Sequence, residues 1–114
     1  MPIQRFEPSG RMSAAVVHGD TVYLSGQVGA GATVAEQTRD ALARVERLLG
    51  LAGSDKASIL SVQVWLASMD DFAAMNAVFD AWVDKENQPA RACGESRLAR
   101  RELRVEILVI AARH

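Results

Sequence analysis

Residues 33–67 read TVAEQTRDALARVERLLGLAGSDKASILSVQVWLA, and the hydrophobic period changes once within them. Val34, Ala41, Leu42, Val45, Leu48, Leu49 and Ala52 recur at helical intervals, with Arg39, Asp40, Arg44, Glu46 and Arg47 on the other face. Thr33 and Glu36 have the spacing of a capping box, in which each satisfies a backbone N–H that the first helical turn leaves open. Gly53 is placed to stop the helix, which is expected over about residues 34–52. From Leu60 to Ala67 the pattern alternates instead, as in a strand.

Downstream the alternation of elements continues. Ser68-Met69-Asp70-Asp71 supplies a second helix start, with acidic residues that suit the positive end of the helix dipole. Phe72, Met75, Phe79 and Trp82 form an apolar stripe to about residue 84, and Glu86-Asn87-Gln88-Pro89 breaks it. Strands are expected near 90–96 and 104–111, joined by a charged loop. Upstream, residues 3–7 read as a short strand, and 13–18 and 21–25 flank Gly19-Asp20 as a hairpin with a type II′ turn. The order β-β-β-α-β-α-β-β points to an α+β fold, a mixed sheet with two helices on one face. Neither SAAVVH nor VYLS offers a clearly polar second face, so a subunit interface is its simplest cover.

The chain has 114 residues, enough for one domain (1–114) and no second core. Hydrophobic residues make up 49% and charged residues 24%, a globular composition, but the apolar share is rich in Ala and Val. A core of small side chains gains from burial against further copies of itself. The net charge of −1 disfavours nucleic acid as a partner, since phosphate contacts supply most of such affinity. One cysteine, Cys93, fits a reducing compartment, and no apolar run has signal-peptide or membrane-spanning length. A cytoplasmic protein without membrane partners is expected.

Few residues are placed for chemistry. His18 sits beside a turn and His114 at the terminus, neither with a His or Cys at ligand spacing, so no metal is expected. Gly26, Gly29 and Gly31 match neither phosphate-loop pattern and read as a flexible connection. Asp70 and Asp71 read as capping residues, the stripe through Phe79 as core, and Arg97, Arg100, Arg101 and Arg104 as a solvated hairpin loop. That basic run also offers a place to concentrate small anions near a pocket. Cys93 has no histidine nearby to activate it, and Ser25 suits a pocket-lining hydroxyl better than a nucleophile.

Arg91 and Glu106 remain, one between small residues and one inside the apolar run 105–110, both in stretches that read as buried strand. A guanidinium cannot shed its charge and is costly to bury without a carboxylate. The two pair with each other as a salt bridge, or Arg91 awaits the carboxylate of a ligand.

"PARACGE" (89–95) followed by "RVEILVIA" (104–111) resembles the signature of the RidA (YjgF/YER057c/UK114) family. "GDTVYLSGQV", "EQTRDALARVERLL" and "DFAAMNAVFDAWV" also look like that family, so the likeness runs from about residue 10 to 112, nearest to its short, YoaB-like members. The resemblance implies a chorismate-mutase-like fold and a homotrimer with active sites between subunits. It implies hydrolysis of reactive 2-imino or enamine acids to 2-oxo acids and ammonia, without metal or cofactor, as in a 2-iminobutanoate/2-iminopropanoate deaminase. Arg91 falls on the arginine that holds the substrate carboxylate and Glu106 on the glutamate that positions water. Ser25, Gly26 and Cys93 fall on pocket-lining positions. Met12 stands where many members carry a tyrosine after Gly-Pro, the connection from Gly26 to Thr33 is shorter, and Gly94 replaces a β-branched residue. Two other classes are a non-catalytic trimer binding small carboxylates and, against the charge, an RNA-cleaving protein.

Overall fold

The computed structural model describes residues 1–114. Its strands are β1 (Ile3–Pro8), β2 (Ser13–His18), β3 (Thr21–Leu24), β4 (Ile59–Leu66), β5 (Ala90–Glu95) and β6 (Val105–Ala112). The helices α1 (Val34–Leu51) and α2 (Phe72–Trp82) lie between β3 and β4 and between β4 and β5. One six-stranded sheet runs β1-β2-β3-β6-β4-β5. All neighbours are antiparallel except β4 and β5, the pair joined through α2, because parallel strands require a crossover of that length. This is the mixed sheet expected from the sequence.

Local chemistry explains the ends of the elements. His18 pairs with Thr21, leaving a two-residue turn in which Gly19 has φ +61 and Asp20 does not turn positive, as a II′ turn requires. The capping box of α1 is formed: Thr33 Oγ1 accepts from Glu36 N at 3.1 Å, and Glu36 Oε1 accepts from Thr33 N at 3.1 Å. Gly53, at φ +84, turns the chain away after the helix. The second helix differs from expectation. A 3-10 turn at Met69–Asp71, capped by Ser68, precedes it, and Asp71 makes no capping bond.

The core lies between the sheet and the two helices. Val17, Val22, Val62, Val64, Leu66, Val105, Ile107 and Val109 meet Leu42, Val45, Leu48, Leu49, Met75 and Phe79, all buried. The other face of the sheet has no cover within the chain. Val16, Tyr23 and Ile110 form one cross-strand row there, and Tyr23 is 45% exposed and Trp65 38%. An apolar sheet face open to water marks an interaction surface. No helix is long and apolar enough to cross a membrane.

The arginine-rich segment does not close a hairpin. β5 and β6 are separated by β4, and the segment crosses the end of β4, with Ser96 N donating to Leu66 O and Arg104 O accepting from Ala67 N. β6, with four buried apolar residues on one face, takes the interior position between β3 and β4. β5 has only Ala, Cys and Gly around its charges and is left at the edge, where less burial is needed.

Candidate functional site

The edge position of β5 decides what surrounds Arg91. Val62 and Val64, buried against the helices, are the register partners of Arg91 and Cys93, so those two side chains share the helix-facing side of the sheet. The Arg91 guanidinium lies 4.8 Å from the centroid of the Phe79 ring on α2. Arg91 is exposed, not buried as the sequence suggests, because an edge strand has nothing beyond it. No carboxylate lies within ion-pair distance of it. Burial pushes the Cys93 thiol above its usual range, with the Arg91 charge opposing the shift, so Cys93 is not a ready thiolate.

Glu106 belongs to the opposite face. The buried positions of β6 are Val105, Ile107, Val109 and Ala111, so Glu106 points to the open side. It pairs with Trp65, which pairs in turn with Gly94. A Cβ at Gly94 would lie 3.2 Å from the Trp65 ring, so glycine lets the indole settle over the edge strand. Gly26 stands against Glu106 on its other side: any Cβ there would collide with the carboxylate. Gln27 exchanges both backbone hydrogen bonds with Ile107, at 2.8 and 2.9 Å, and this bridge holds the Ser25–Gln27 segment beside Glu106. Ser25 donates from N and Oγ to Ala14 O and accepts from Gln27 Nε2 at 3.2 Å. Met12, 55% exposed, precedes Ala14 by two residues, and its backbone O accepts from Ser9.

One chain therefore brings Ser25, Gly26 and Glu106 together, and separately Arg91 and Cys93. The two groups occupy opposite faces with β4 between their strands, and the Arg91–Glu106 salt bridge does not form. One half offers a cation over an aromatic ring, the other a half-buried carboxylate beside a bare backbone. Neither alone can both hold an anion and handle a proton.

Several residues outside the sequence reading matter here. Asn76 Oδ1 is the one buried side-chain oxygen or nitrogen without a hydrogen-bond partner, on the apolar side of α2 three residues before Phe79. Its signal in the sequence is an amide inside the stripe Phe72, Met75, Phe79. The Gly26–Thr33 connection is not slack: Ala30 N donates to Asp40 Oδ2 at 2.7 Å, and Gln37 Nε2 to Gly31 O at 3.1 Å. Asp71, expected to cap α2, accepts from Arg104 at 2.8 and 3.2 Å.

His114 is tied down rather than frayed. Its Nε2 lies 2.9 Å from Asp55 Oδ2 and 3.2 Å from Ser58 Oγ. The hydrogen bond from His114 is the main cause that holds the Asp55 carboxyl below its usual range. Serine, histidine and aspartate all meet at one ring nitrogen, so the imidazole cannot relay a proton between the two as a hydrolase triad does. No group of three or more His, Cys, Asp or Glu side chains is placed to hold a metal ion.

Comparison with known proteins extends this picture. A sequence family described as "Endoribonuclease L-PSP" matches residues 2–113. The chain is 38% identical over 113 residues to "RutC family protein YoaB" of Escherichia coli, covering 98% of this chain and 99% of that protein. It is 32% identical over 110 residues to human "2-iminobutanoate/2-iminopropanoate deaminase", covering 90% of this chain and 80% of that one. The crystal structure of NMB1025, a YjgF-family protein of Neisseria meningitidis, superposes with a TM-score of 0.99 at 48% identity, over 100% of this chain and 97% of that one.

Proposed function

Since the chain belongs to the RidA (endoribonuclease L-PSP) family, we propose that it hydrolyses reactive 2-imino acids to 2-oxo acids and ammonia at sites formed between subunits of a homotrimer. The observation that carries this is the separation of Arg91 and Glu106 onto opposite faces of one sheet. A site that uses both is then assembled from two chains, the helix-side edge of one and the open face of the next. The uncovered row Val16, Tyr23, Ile110 supplies apolar surface for such an interface. The human relative is named for this substrate class. Residues 1–114 act here as one domain, in a reducing compartment that keeps Cys93 free.

The chemistry asks little of the protein. The substrate carboxylate lies against the Arg91 guanidinium, in a bidentate contact that no protein carboxylate competes for. Glu106 takes a proton from a water as its oxygen bonds to the imine carbon. Glu106 passes that proton to the imine nitrogen, giving a neutral carbinolamine, and then carries the hydroxyl proton to the same nitrogen as the C–N bond breaks, so that ammonia leaves and the carbonyl forms. Positioning and proton transfer carry the rate, with no covalent enzyme intermediate. Ser25, Gly26 and Cys93 line the cleft, and Met12 closes its margin.

Complementation tests the two-chain site. Arg91→Ala and Glu106→Gln are each expected to be inactive in an assay where an amino-acid oxidase generates imines and semicarbazide traps the survivors. Co-assembled in equal amounts, they should recover roughly a quarter of wild-type activity, the fraction of random interfaces with both intact residues. No recovery in verified mixed trimers sinks the two-chain site. Met12, which has no hydroxyl, favours a second reading as a carboxylate-binding trimer. That reading takes over if a 2-oxo acid binds through Arg91 while no imine is hydrolysed faster.

A further inference from the structure

The segment between β5 and β6 carries Arg97, Arg100 and Arg101, and all three line one hollow of about 370 Å³ with Ala67, Leu98 and Leu103. Only Arg100 has a carboxylate partner, Glu102, at 2.8 Å in a fully exposed pair. Arg97 and Arg101 have none. Nothing in the fold requires these charges, because the segment is anchored by other groups. Leu103 is buried, Gln37 Nε2 donates to Glu102 O at 2.9 Å, and Gln37 Oε1 accepts from Arg104 N at 2.8 Å. Arg104 itself is neutralised by Asp71. Three guanidiniums around one hollow repel one another, in a chain whose net charge is −1.

We propose that this hollow is a binding site for a small multiply charged anion, a phosphorylated or polycarboxylate metabolite, separate from the imine site. Guanidinium forks match phosphate and carboxylate oxygens, and the loop sets all three around one hollow. Ala67, Leu98 and Leu103 give the hollow an apolar wall that a short carbon skeleton can cover, and its volume is in the range of metabolite pockets. An extended nucleic-acid strand fits worse. It needs a track of cations, and Glu95 and Asp70 stand at the adjacent turn, where Glu95 accepts from Met69 N at 2.9 Å. The loop joins the strand of Arg91 and Cys93 to the strand of Glu106, so an anion bound here braces the connection between the two halves.

Calorimetric titration with inorganic pyrophosphate and, separately, citrate at constant ionic strength tests the site. Wild type should bind at least one of them saturably, and whichever binds tells phosphate from carboxylate chemistry. Arg97→Gln/Arg101→Gln, both on an exposed loop, should weaken that binding by about tenfold or more, with an unchanged circular dichroism spectrum. Arg91→Ala should bind as wild type does. Absence of saturable binding by either anion, unchanged affinity in the double variant, or loss of binding in Arg91→Ala overturns the proposal. So does a single-stranded oligoribonucleotide that binds through these arginines with steep salt dependence while pyrophosphate fails to displace it.

Discussion

Arg91 lies inside β5 and Arg104 just ahead of β6, and their surroundings could hardly differ more. Arg104 meets Asp71 in a two-point contact at 2.8 and 3.2 Å, with the carboxylate largely buried, and its backbone N–H is taken by Gln37. Arg91 has only the face of Phe79 beneath it. A guanidinium met by a protein carboxylate ties elements together. One left with an aromatic platform and open coordination is available to a ligand. Residue type does not separate the two roles; the neighbours do.

The contrast can be broken from either side. Arg91→Ala should cost the largest effect, a fall of about a hundredfold or more in kcat/KM for imine hydrolysis, from the loss of a charge-assisted fork. Its melting temperature should stay near wild type, since an exposed cation–π contact contributes under about 1 kcal/mol. A large drop in stability with unchanged turnover would make Arg91 structural after all. Gln37→Leu should do the reverse. It leaves Gly31 O, Glu102 O and Arg104 N without partners at a buried site, so chemical denaturation should show a loss of about 2 kcal/mol or more, with kcat/KM per folded molecule retained.

Gly26→Ala sharpens the picture of the second half. The new methyl meets the Glu106 carboxylate, and moving that carboxylate by a fraction of its length should lower kcat about tenfold with a smaller change in KM. A tenfold rise in KM with kcat unchanged would show that the loop and not the carboxylate is at fault. The smallest expected effect lies far from both halves. Arg47 grips Glu7 at 2.7 and 2.9 Å and, chiefly through this hydrogen bond, holds its carboxyl below the usual range. A carboxylate with a lowered pKa stabilises the fold above its unfolded pKa of about 4.3 and loses that contribution as pH falls through the folded value. Thermal melts of Glu7→Gln should therefore differ slightly from wild type at neutral pH and converge with it in acid. A gap that widens in acid contradicts the assignment.

Much of this architecture is legible in the residues. The capping box at Thr33 and Glu36, the Gly19-Asp20 turn and the periods of 3.6 and 2 locate both helices and every strand to within a few residues. Arg91 and Glu106 stand out as charges inside apolar strand stretches, while the roles expected of them, and of Ser25 and Gly26, come from the family resemblance, and the chain belongs to that family. Gln37 and Asn76 are not legible in the sequence, since an amide on a helix carries no mark of what it faces once folded. Asp71 reads as a cap for a related reason: acidic residues at a helix start suit the dipole whether or not a remote arginine claims them.

The sequence by itself thus determined the elements and their order, because periodicity, caps and turns depend on contacts only a few residues apart. Tertiary structure alone decided that β6 inserts between β3 and β4 and sends β5 to the edge. That one choice exposes Arg91 over Phe79, turns Glu106 to the other face, and sends the arginine-rich segment across the end of β4. Strand order rests on burial shared among segments far apart in the chain, and no local pattern records it.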